Sequence, residues 1–178
     1  MAQDEKRLVV GVDPGLTGAL AFVELPGEGM PLRVLGIEDM PVEGGQVCAV
    51  RLGRLLAAAA SAYLNINSWL VMERQIAMPG RDSATGVRSR SMGAVSAMNF
   101  GRGGGIVEGC CAGLGIRFST VGAMVWKVSL GMAADKKESL VYIRGRFPEA
   151  AKWLTRAKDH GRGDALGVAA WACGLRAA

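Results

Sequence analysis

One histidine, His160, serves all 178 residues, so imidazole chemistry has a single possible donor. The four cysteines, Cys48, Cys110, Cys111 and Cys173, include no C-x-x-C pair, and His160 is far in sequence from the first three. That speaks against a zinc site or a disulfide framework and predicts reduced, structural thiols. No apolar run approaches the roughly 20 residues of a membrane span; Leu55–Leu64 comes nearest and is too short. Met1–Arg7 is polar and charged, with neither an apolar secretion core nor an Arg/Ser-rich transit pattern. The expectation is a cytoplasmic protein of bacterial or phage type, or a chloroplast one if a transit peptide has been removed, with no membrane partner. Repeats and low-complexity linkers are missing too. One domain over residues 1–178, with 1–7 as a flexible N-terminus, is therefore expected.

What is present is unevenly spread. Residues 1–73 carry five Lys/Arg against nine Asp/Glu, a net of −4, whereas residues 74–178 carry sixteen against seven, a net of +9. A basic region of this kind suits a polyanionic partner.

The chain reads as α/β. Leu8–Val12 and Gly18–Leu25 are apolar runs around a Pro-Gly turn, as in a hairpin, and Leu32–Met40 reads as a third antiparallel strand. Gln46–Leu64 has helical spacing, and Trp69–Met72 is a core strand running into Glu73. Arg74–Arg90, with Arg81, Arg88 and Arg90 among Gly, Ser and Pro, lacks periodicity and reads as a basic substrate-contacting loop. Met92–Gly115 is near-helical but interrupted by glycines within Gly101–Gly105; each costs a helix about 1 kcal/mol relative to Ala. They predict either a break or the close approach of another backbone. Arg117–Val121 reads as a strand, Ala123–Lys127 as a helical turn, Lys136–Phe147 and Glu149–Ala157 as helices, and a final apolar helix is opened by Asp164.

Three acids, Asp13, Glu73 and Asp164, each sit where an apolar element begins or ends. An unpaired carboxylate there is costly. Carboxylates gathered at neighbouring strand ends suit Mg²⁺ or Mn²⁺, hard cations that take oxygen ligands and leave positions for water and phosphate. Two such ions about 4 Å apart can activate water and stabilise the leaving oxygen of a phosphodiester. His160 lies four residues before Asp164, on the same side of any helical path.

Gly11-Val12-Asp13-Pro14-Gly15 with Thr17-Gly18 resembles the opening of RuvC-type Holliday junction resolvases. The likeness continues in order through Val71-Met72-Glu73, Phe100–Gly105, Val125-Trp126-Lys127 and Lys136–Ser139. The segment Lys158-Asp159-His160-Gly161-Arg162 is similar to the chloroplast, monokaryotic-chloroplast type of junction resolvase. The resemblance implies an RNase H-like fold: a mixed sheet of about five strands, the first three antiparallel, flanked by helices. It implies a homodimeric, two-metal (Mg²⁺ or Mn²⁺) endonuclease nicking four-way DNA junctions symmetrically, with no small-molecule substrate. Asp13, Glu73, His160 and Asp164 would be catalytic and metal-binding; Arg81, Arg88, Arg90, Lys127, Lys136 and Lys137 would contact DNA. RuvC proteins usually carry another acid where this chain has Gly161. His160 would replace it, with Asp159 as the runner-up. The helix holding Gly101–Gly105 is expected near the dimer interface.

Two rival nuclease-site readings are an RNase H-like enzyme acting on RNA or RNA–DNA hybrids and a junction-binding protein without cleavage. An actin-like phosphotransferase also uses a Gly-x-Asp-x-Gly-x-Thr loop but needs two lobes, for which 178 residues leave no room.

Overall fold

A computed structural model of the chain describes residues 7–25, 31–62, 68–76, 94–132 and 135–177. Residues 1–6 of the expected flexible N-terminus, the loop arginines Arg81, Arg88 and Arg90, and the side chain of Lys136 lie outside the described residues.

The first apolar run forms β1 (Arg7–Asp13), buried at every interior position because both faces are covered. It pairs antiparallel with β2 (Ala19–Leu25), which pairs antiparallel with β3 (Arg33–Asp39). Val42–Glu43 (β4) and Gln46–Val47 (β5) make a separate two-stranded ribbon. The helix expected from Gln46 therefore starts later, as α1 (Ala49–Ala62). The strand β6 (Trp69–Glu73) then runs parallel to β1, and β7 (Arg117–Val121) runs parallel to β6. The resulting sheet has the order β3-β2-β1-β6-β7, mixed, with its first three strands antiparallel.

Period-two alternation divides the core. Val9, Ala21, Val23 and Val71 face one way, onto Trp126, Ile143, Leu166 and Ala169. Leu8, Val10, Val12, Leu70 and Met72 face the other, onto Leu52, Leu56, Val107 and Cys111. The first layer holds α3 (Ala123–Ser129), α4 (Lys136–Arg146), a 3₁₀ helix (Pro148–Trp153) in place of the expected helix to Ala157, and α5 (His160–Ala172). The second holds α1 and α2 (Ala94–Leu114). No helix among the described residues is long and apolar enough to cross a membrane.

The α2 glycines follow the close-approach reading, and α5 starts earlier than expected. The glycines do not break α2, which runs unbroken past Gly101–Gly105. A Cβ on Gly103 would lie 2.8 Å from the Pro14 carbonyl oxygen, and one on Gly104 would lie 2.8 Å from Gln75 Oε1. Close packing at those two positions compensates for the propensity they cost. Similarly, α5 begins at His160 rather than Asp164, one turn earlier. The four cysteines are free thiols; burial pushes Cys111 up to about 11 and Cys173 up to about 12, as inert packing residues require.

Candidate active site

Asp13 closes β1, where the chain must reverse within five residues to begin β2 at Ala19. The Gly15 N–H donates to Asp13 Oδ1 at 3.1 Å, and the Gly18 N–H donates to the Gly15 carbonyl at 2.9 Å. Gly18 is required here, since a Cβ would collide with the Asp13 carbonyl oxygen. Alternation aims Asp13 at the α5 side, the same side as Val9 and Gly11. β6 is in parallel register with β1, Met72 opposite Val12, so Glu73 comes to the strand end beside Asp13 and points the same way.

Glu73 is half-buried. Its Oε2 accepts a hydrogen bond from the indole Nε1 of Trp126 at 2.9 Å. Burial, the largest cause, raises its pKa; the charges of Asp164 and Asp13 add to that rise, while the Trp126 bond and Lys127 oppose it. Asp13 and Asp164, the other two acids named from the sequence, thus lie close enough to Glu73 for their charges to act on it.

Asp164 arrives from above on the second turn of α5. Small residues bring that helix down onto the sheet: a Cβ on Gly11 would collide with the Ala165 carbonyl, and one on Gly167 would lie 2.5 Å from Trp126 Cζ3. Lys127, on α3, reaches Asp164 Oδ1 with Nζ at 3.4 Å, both side chains largely buried. Its Nζ also stands 5.0 Å from the Trp126 ring centroid. His160 occupies the first position of α5, one turn before Asp164. Asp135, the N-cap of α4, accepts from the Lys137 and Glu138 N–H groups, which lower its pKa. The charge of His160 lowers it further, so the α4 start carrying Lys136 and the exposed Lys137 lies beside His160.

Asp159 is not a fourth member of this group. Its carboxylate is buried and accepts from Arg156 Nε at 2.6 Å and from the Arg156 N–H at 2.7 Å. At Gly161 any side chain would collide with the Thr17 carbonyl, which is why no acid stands there.

In donor type the set fits a hard divalent cation: three carboxylates, with the repulsion of Asp13 and Asp164 on Glu73 something a cation would relieve. As they stand, no three His, Cys, Asp and Glu side chains among the described residues are drawn close enough to hold one. Each acid instead leans on an internal donor, Asp13 on Gly15, Glu73 on Trp126 and Asp164 on Lys127.

Sequence reasoning named Val125-Trp126-Lys127 but gave Trp126 no role. A buried indole N–H needs an acceptor, and a Trp beside a matched lysine was the available signal. The partner lies 53 positions away. Asp39, Arg156 and Arg162, which brace the start of α5, were also missed.

No protein-family model matches the chain. The chloroplastic Holliday junction resolvase MOC1 of Chlamydomonas reinhardtii is 40% identical over 68 residues. That segment is 37% of this chain and only 8% of that much longer protein. Among solved structures, Thermus thermophilus RuvC in complex with a Holliday junction substrate superposes with a TM-score of 0.59 at 19% identity, covering 92% of this chain and 90% of that one. A second Thermus thermophilus RuvC structure gives 0.57 at 21% identity, over 91% and 90%. The likeness to RuvC-type resolvases read from the motifs thus extends to the fold, and this chain has the RNase H-like architecture of RuvC.

Proposed function

We propose that the protein is an endonuclease that resolves four-way DNA junctions by paired symmetric nicks. The observation that carries this reading is the convergence of Asp13, Glu73 and Asp164, from two parallel strand ends and the helix above them, with both aspartates raising the Glu73 pKa. The partial likeness to MOC1 and the RuvC fold support the substrate.

In this reading Asp13, Glu73, His160 and Asp164 hold Mg²⁺ or Mn²⁺, two ions per site. Such cations supply the charge that polarises a phosphodiester and lowers the pKa of water. Trp126 holds Glu73 in one orientation through its 2.9 Å bond. Lys127, with Nζ 3.4 Å from Asp164 Oδ1, stands at the site and would neutralise phosphate charge there. His160, one turn before Asp164 on α5, would either complete the ligand set or, left off the metal, take the proton of the attacking water. Lys136, Lys137 and the arginines Arg81, Arg88 and Arg90 grip the arms of the junction; phosphate contacts of this kind fix register without reading sequence.

Two nicks need two equivalent sites, which a C₂ homodimer supplies. The outer face of α2 is its proposed interface: Gly101, Gly105, Gly109 and Gly113 have open space beside them, and Val95 and Met98 are exposed. A monomer in sedimentation at micromolar concentration removes the dimer from the reading.

The deciding experiment is a gel assay on a labelled synthetic junction in Mg²⁺, Mn²⁺ or EDTA, with linear duplex and an RNA–DNA hybrid as competitors. Paired symmetric nicks in the junction alone are expected. Asp13→Asn, Glu73→Gln and Asp164→Asn should each lower cleavage by roughly a thousandfold or more, several kcal/mol of barrier, while junction binding persists. Preferential cutting of the hybrid, or cleavage by Asp13→Asn, overturns the proposal.

A further inference from the structure

The first turn of α5 is braced by four charged side chains outside the carboxylate group. Asp159, its N-cap, makes no side-chain capping bond to the helix. Its buried carboxylate holds Arg156 instead, at 2.6 Å and 2.7 Å, with Arg162 Nε at 3.9 Å. Asp39, the last residue of β3, binds both arginines as well. Arg156 Nη2 donates to its two oxygens at 2.9 and 3.1 Å, and Arg162 Nε donates to Oδ1 at 2.6 Å. Arg162 Nη1 also donates to the Trp153 carbonyl at 2.8 Å. Across the helix, Gly161 rests on the Thr17 carbonyl of the turn that follows Asp13. The turn carrying His160 is therefore pinned from β3 on one side and from the Asp13 turn on the other.

We propose that Asp39 is a positioning residue: through Arg156 and Arg162 it sets the rotation of the first turn of α5, and so the aim of His160 and Asp164 at Asp13 and Glu73. Two magnitudes separate positioning from plain stabilisation. The Asp39 side chain is 50% exposed, and exposed ion pairs contribute little to global stability. A misplacement of about 1 Å at a reacting group, in contrast, costs up to about a hundredfold in rate. Loss of Asp39 should therefore act on turnover far more than on folding.

The activity arm of the test rests on the junction-cleaving reading; the structural arm does not. His160 is the chain's sole histidine, so its ring resonances in NMR are unambiguous. In Asp39→Ala those resonances should shift, and amide exchange at residues 160–164 should quicken. kcat on the junction should fall roughly tenfold with KM held within about twofold, and the melting temperature should stay within about 3 °C. Asp39→Glu should recover most of the loss. An unmoved His160 signal, or a kcat that falls only in step with the folded fraction, overturns the inference. If the wild-type protein cuts no junction while His160 responds to Asp39→Ala as described, the junction reading falls and the brace stands. Junction cleavage by wild type with an unmoved His160 removes the brace alone.

Discussion

On the α5 side of the sheet the glycines are hemmed in, and on the outer side of α2 they stand open. Gly11, Gly161 and Gly167 each lie where a Cβ would strike a carbonyl or the Trp126 ring. Gly101, Gly105, Gly109 and Gly113 have nothing within 4 Å. Two glycines on α2 are exceptions: Gly104 is hemmed in by Gln75, and Gly103 by Pro14, part of the turn that follows Asp13. Tight backbone approach thus tracks the Asp13 turn from both faces. The same residue type there permits a constellation, and elsewhere lowers helix propensity while leaving a smooth face.

Alanine substitution at the two classes breaks the comparison most directly. Gly161→Ala must displace the Thr17 backbone and should destabilise the fold by about 2 kcal/mol or more, with cleavage lost. Gly105→Ala, measured on protein dilute enough to be monomeric, should stabilise it by about 0.5–1 kcal/mol, the ordinary gain of replacing an unhindered helical glycine. Chemical denaturation of both variants is the measurement; equal effects would dissolve the distinction.

A smaller effect is expected at Glu73. Burial above all, then Asp164 and Asp13, raises its folded pKa above the unfolded value. A raised acid is at its least costly when protonated, so the metal-free protein loses stability as pH rises from the unfolded pKa through the folded one. Glu73→Gln keeps an acceptor for Trp126 and carries no charge. Its melting temperature should match wild type near pH 4 and exceed it at pH 7, with the gap reaching a plateau above the folded pKa. Added Mg²⁺ should then raise the wild-type melting temperature and leave the variant unmoved, since only binding to the native state stabilises.

The smallest shift concerns Lys127. Its ammonium occupies Asp164 Oδ1 at 3.4 Å and competes with any cation there. Lys127→Met should lower the Mg²⁺ concentration for half-maximal thermal stabilisation by roughly threefold, from the loss of a partly screened charge pair. A titration that needs more Mg²⁺, or the same amount, would contradict that competition.

Asp13 and Glu73 were legible in the sequence because a carboxylate at the end of an apolar run is anomalous within a few residues of itself. The individual strands followed from the alternation of runs and turns, whereas their assembly into one mixed five-stranded sheet was implied by the resemblance. Where α5 begins was not legible. Gly161 and Gly163 depress local helix propensity, and what offsets them is packing on Thr17 and the brace to Asp39, more than a hundred positions away in sequence. The continuity of α2 was hidden for the same reason: Pro14 and Gln75 fill the space that glycine leaves. A resemblance placed Lys127 at the phosphate, but its pairing with Asp164 belongs to three dimensions.

The position of α5 also governs how the protein can be made. The helix lies across β1 and β2 with Ala165–Ala170 wholly buried, yet in sequence it comes after every strand of the sheet. During synthesis, which proceeds from the N-terminus, β1, β2 and β6 present an uncovered apolar face until residues 160–172 emerge. A chain stopped short of α5 would carry two of the three acids and no wall to hold them. A chain that stops before residue 160 should therefore aggregate rather than fold into a weakened version of the protein.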